Sequence, residues 1–99
     1  MRLKPDDRRQ FILEAATEEA KIAGWQFIER EAVANRAQCT PTLINHYFKN
    51  MKSLKSDVMQ YSVDMGIPEV IAHGLVMGDA VALSASKELK QRAKALIMG

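Results

Sequence analysis

Between Pro5 and Gly24, apolar side chains fall at Phe11, Ile12, Ala15, Ala16, Ala20, Ile22 and Ala23, the three- and four-residue intervals of a helical face. Pro5 suits a first turn, Asp6 and Asp7 suit the positive end of the helix dipole, and Gly24 suits the position just past the last turn. A shorter helix is predicted over 30–37, with Val33 as its main core residue. Gln38, Cys39 and Thr40 interrupt it, and Thr40-Pro41 then opens a third helix, since the hydroxyl can cap free amides and proline there loses no hydrogen bond. That helix carries Leu43, Ile44, Tyr47 and Phe48 and ends near Lys49 or Asn50. Over 51–64, Met51, Leu54, Val58 and Tyr61 share a face that reaches Met65, and Gly66 is a natural stop. A fifth helix is predicted over 67–76, weakened by Gly74 and Gly78, and a sixth over 79–97, capped by Asp79. No strand-like alternation competes, so the fold class expected is all-α, a compact bundle of about six helices.

Composition narrows the picture. Ninety-nine residues, 47% apolar and 26% charged, make one soluble domain with a modest core, which excludes a multidomain enzyme. The most apolar stretch, 67–85, is interrupted by Pro68, Glu69, His73 and Asp79, whereas a membrane span needs roughly 20 mostly apolar residues. The single cysteine, Cys39, forms no internal disulfide and is expected to be buried in a turn, and no signal-like segment opens the chain. A cytoplasmic, nucleoid-associated location is expected.

The net charge of +2 is small, but it is unevenly placed. Arg2, Lys4, Arg8 and Arg9 open the chain, 10–31 is acidic, and 32–56 carries Arg36, Lys49, Lys52 and Lys55 with no acid at all. From 57 to 86 there are acids and no base, and 87–99 is basic again. Separate basic surfaces on a nearly neutral protein suit a polyanion that touches only part of it.

Two helices joined by a three-residue turn, the second opened by Thr40 and Pro41, have the spacing of a DNA-binding helix-turn-helix. The stretch from Ala37 to Leu54, with Thr40, the Tyr47-Phe48 pair, Lys49, Lys52 and Leu54, resembles the N-terminal DNA-binding domain of the TetR (tetracycline-repressor) family. Upstream, Ile12, Leu13, Ala15, Ala16 and Gly24-Trp25 are similar to that family's helix one and the glycine-aromatic step after it, so the resemblance spans roughly residues 8–58. Four positions depart from it. Ile28 and Glu29 stand where threonines usually touch phosphate, Gln38 replaces the turn glycine, and Asn45 stands where tyrosine is common. Gln38 is therefore expected to accept whatever backbone angles the turn demands, with strain if they are left-handed.

The resemblance implies a DNA-binding region over 1–65 and leaves 66–99 to complete the core or form a dimer interface. Thr40, Thr42, Asn45 and His46 can donate or accept at base edges in a major groove, with Pro41 opening their helix. Tyr47 packs its ring and offers its hydroxyl to a phosphate, while Phe48 belongs to the core. Lys49, Lys52 and Lys55 are candidate phosphate contacts, and Arg8 and Arg9 can reach the backbone or a minor groove.

The expected function is that of a sequence-specific transcriptional regulator, a repressor acting as a homodimer on double-stranded DNA by occupying a promoter. No cofactor, metal, membrane or small-molecule effector is expected, since the 34 residues after Met65 leave no room for the large effector domain of the resembled family. Glycine-rich phosphate loops and metal-spaced histidine pairs are absent, which argues against an enzyme. Two alternatives stand beside the regulator. One is an architectural or packaging factor like a phage terminase small subunit, and the other is a protein-interaction module or antirepressor that has lost DNA binding, as Glu29 and the modest charge allow.

Overall fold

The computed structural model describes residues 4–98, and among these there are seven α-helices, one short 3-10 turn and no strand. They are α1 (Pro5–Ala23), the 3-10 turn Trp25–Phe27, α2 (Arg30–Ala37), α3 (Pro41–Tyr47), α4 (Met51–Met65), α5 (Pro68–Val76), α6 (Ala80–Leu83) and α7 (Lys87–Met98). Arg2, counted above in the basic opening of the chain, lies outside the described residues.

Local chemistry explains most boundaries. All three prolines, Pro5, Pro41 and Pro68, stand in the first turn of a helix, where a missing N–H costs nothing. Side chains of Thr40, Asn50 and Asp79 accept from the backbone N–H of Leu43, Ser53 and Ala82 at 3.3, 2.8 and 3.1 Å, capping α3, α4 and α6. At the far end of α4, Gly66 takes the left-handed conformation (φ 69°, ψ 52°) that closes a helix at no steric cost to glycine. The turn between α2 and α3 needs the same conformation. There Gln38 adopts it (φ 56°, ψ 46°), so the residue that replaces the glycine carries the strain of a left-handed position.

The sixth helix predicted over 79–97 is two helices. Ser84 turns its hydroxyl back to the Val81 carbonyl, Ala85 is buried, and Ser86 then caps α7 by accepting from the Leu89 N–H at 3.2 Å. Serines offer the backbone alternatives to helical bonding, and two of them flanking a buried alanine break the run. The third helix is also shorter than expected, ending at Tyr47 so that Phe48 can turn inward in an extended conformation.

One core runs through the molecule, with Ile12, Val33, Ile44, Phe48, Leu54, Val58, Met59, Val70, Ile71, Ala82 and Ala93 among its buried side chains. Each large aliphatic or aromatic member contributes about 1.5–3 kcal/mol by leaving water. Helix α1 packs against α2, α4 and α5, α4 against α5 and α6, and α7 mainly along α5. Phe11 and Ile22, which share the apolar periodicity of α1, stand 46% and 72% exposed. Ile22 lies in the last turn of α1, beyond its last buried residue Ala20, and Phe11 lies mid-helix at the edge of the buried face, so the periodicity marked the face but neither its width nor its end.

Polar ties join the elements at the rim of this core. Arg9 donates from Nη2 to Asp57 at 2.8 Å and lies 4.5 Å over the Phe48 ring, linking α1, α4 and the end of α3. The Trp25 backbone N–H donates to His73 Nδ1 at 3.1 Å, which places the histidine's role in fastening the 3-10 turn to α5.

Candidate nucleic-acid interface

Helix α3 divides cleanly into two sides. Ile44 is buried and Leu43 half-buried, and Phe48 follows just past the last turn, so one side faces the protein. Thr42, Asn45 and His46 recur at helical spacing on the other side and all three are exposed. Their hydroxyl, carboxamide and imidazole groups have no intramolecular hydrogen-bond partner among the described residues, which leaves donors and acceptors of three kinds free for another molecule. His46 stands edge-on to Tyr47, their ring centres 4.9 Å apart, so the half-buried tyrosine steadies the imidazole from the side.

The remaining predicted residues separate into three groups. Thr40 and Pro41 are exposed at the start of α3, with the Thr40 hydroxyl engaged as a cap. Lys49 and Lys52 are exposed around the next turn and make no ion pair among the described residues. Arg9 and Lys55 are engaged within the protein, Arg9 by Asp57 and Phe48 and Lys55 by the Gln26 carbonyl, to which its ammonium donates at 2.9 Å. Arg8 is half-buried beside Gln38, Cys39 and Leu43, near the start of α3.

This sorting changes the meaning of the acid-free stretch 32–56. Arg36 bonds Glu19 of α1 at 3.1 Å and Lys55 is tied to a carbonyl, so Lys49 and Lys52 are the unpaired exposed charges of that stretch. Sequence distance hid both engagements, because Glu19 and Gln26 lie on earlier elements. Glu29 is exposed just before α2, and its side chain makes no capping bond.

Burial pushes the Cys39 thiol above its ordinary value, and the positive charge of Arg8 opposes that shift. The thiol is half-buried, not enclosed as expected, because the turn holding it borders an open groove. Among the described residues no group of three or more histidine, cysteine, aspartate or glutamate side chains is placed to hold a metal ion. No helix among them is long and apolar enough to cross a membrane. Compared with protein-family models, curated protein sequences and solved structures, the chain matches none.

Proposed function

We propose that the protein is a non-enzymatic, sequence-specific DNA-binding regulator that acts as a homodimer at the nucleoid, with α2 and α3 as a helix-turn-helix of the kind the TetR family uses. The observation that carries this reading is the outer side of α3, where Thr42, Asn45 and His46 stand exposed and unpartnered beside the free ammonium groups of Lys49 and Lys52. Such a helix can enter a major groove while the lysines meet the flanking phosphates. Repression follows from occupying a promoter.

Pairing is favoured by the far end of the molecule. Leu89, Ala93, Leu96 and Ile97 form one stripe on α7, and its first half lies against the core while Leu96 and Ile97 are 56% and 48% exposed. A second copy that covers this stripe doubles the number of half-sites read.

Selection from fragmented genomic and random duplex DNA at near-physiological salt tests the reading. An enriched site of two inverted half-sites supports a dimeric regulator, and His46→Ala should then weaken the enriched site more than random DNA. Retention without enrichment, lost steeply as salt rises, supports a packaging or architectural factor. No retention refutes DNA binding and turns the outer side of α3 into a protein contact.

A further inference from the structure

A groove of about 290 Å³ opens between α1 and the turn that carries α3. One side of it is apolar, supplied by the buried Ile12, the half-buried Leu43 and the exposed ring of Phe11, and the turn residues Gln38 and Cys39 make the rest of the lining more polar. Arg8 stands at its edge. That guanidinium has no acidic partner and no hydrogen bond among the described residues, whereas the adjacent Arg9 donates from Nη2 to Asp57 and lies over the Phe48 ring. The volume lies at the lower edge of the roughly 300–1,000 Å³ typical of small-molecule sites, so only a compact ligand fits. A planar fork beside apolar walls is matched by a carboxylate on an apolar body, which lets Arg8 bond both oxygens while the body leaves water.

We propose that this groove binds a small organic carboxylate, its anion held by Arg8 and its apolar body lying against Phe11, Ile12 and Leu43. The occupant touches the turn residues Gln38 and Cys39, which set the position of α3. Occupancy therefore withdraws Arg8 from DNA phosphate, so the ligand and DNA oppose one another. The binding site stands on its own geometry, and this regulatory consequence rests on the DNA-binding reading.

Cys39 is the sole cysteine of the chain and lines the groove, so its alkylation reports occupancy directly. The full chain is treated with iodoacetamide while benzoate is titrated through the millimolar range, with benzamide as the uncharged control. Benzoate should slow alkylation saturably, by about tenfold at ten times its Kd, as mass action requires. Benzamide should leave the rate nearly unchanged. Arg8→Met should abolish protection and Arg8→Lys should keep part of it, each compared with its own rate without benzoate and with its helical circular dichroism intact. Equal protection by benzamide overturns the anion assignment, and no protection of the unaltered protein overturns the site. The assay contains no DNA, so its outcome is independent of the DNA selection. Protection without release of a selected DNA overturns the regulatory consequence alone.

Discussion

Trp25 and Lys55 hold one another's segments from two directions: the indole Nε1–H donates to the Lys55 carbonyl at 2.8 Å, and the Lys55 ammonium returns to the Gln26 carbonyl at 2.9 Å. The pair fastens the segment between α1 and α2 to the second turn of α4. A lysine expected from sequence to meet phosphate is thereby engaged within the protein, whereas its neighbour Lys52 is exposed and makes no ion pair among the described residues.

Opposite behaviour of these two lysines follows. Lys55→Met removes a charge-assisted bond to a partly buried carbonyl and should lower stability by about 1–2 kcal/mol in urea unfolding. It should leave the salt dependence of DNA binding unchanged. Lys52→Met should leave the urea midpoint in place and make the slope of log affinity against log salt shallower by about one. A shallower slope for Lys55→Met would place its ammonium on phosphate after all.

Gly74 is required by close packing. A Cβ built there would lie 2.5 Å from Met59 Cε and 2.6 Å from Ala82 Cβ, so α4, α5 and α6 meet at a point where no side chain fits. Gly74→Ala should destabilise by about 1–3 kcal/mol despite the better helix propensity of alanine. Its melting temperature should fall by about 4–8 °C for each kcal/mol lost. A melting temperature at or above that of the unaltered protein would show that Met59 moves aside freely.

The contrast between Gly74 and Lys55 marks what could be read from the chain. Helix starts were legible because proline and a capping oxygen act locally, and so was the two-sided character of α3, which needs only spacing. Gly74 looked like a weakness in α5 because the reason for it lies on α4 and α6, far away in sequence. The engagements of Arg36 by Glu19, Arg9 by Asp57 and Lys55 by Gln26 were hidden for the same cause, and with them the true count of free charges. The break at Ser84 and Ser86 is concealed in the sequence by the apolar pattern that continues from Val81 to Ile97.

Gln38 occupies left-handed backbone without the freedom of glycine. Gln38→Gly should raise stability by up to about 1 kcal/mol, the relief of side-chain crowding less the added freedom of the unfolded chain. Gln38→Val, branched at Cβ, should lower it. Chemical denaturation of the two variants checks both signs, and a loss of stability for Gln38→Gly would mean that the carboxamide itself holds the turn.

Cys39 supplies a prediction with a definite sign. Its thiol is raised by burial and lowered by Arg8, with burial the larger influence. The unfolded chain gives up this proton first, so the thiol's contribution to stability is intact below the ordinary thiol range and is lost as pH rises through the folded value. At pH 8 Cys39 should alkylate more slowly than a free cysteine, and Arg8→Met should slow it further by removing the opposing charge. A faster reaction in Arg8→Met would mean that the guanidinium shields the thiol sterically.

Helix α3 has seven residues and one fully buried side chain, Ile44, with Phe48 just beyond its end. A helix so short does not persist alone, so its opening free energy is set by these two anchors and lies below that of α1 and α4. Its amides should exchange with deuterium well before those at the centre of α4. Ordering a fraying element consumes part of any contact energy made on it, and Ile44 and Phe48 become affinity determinants for a partner that neither of them touches. Natural variation at these two positions would then shift occupancy of a site without altering which site is chosen.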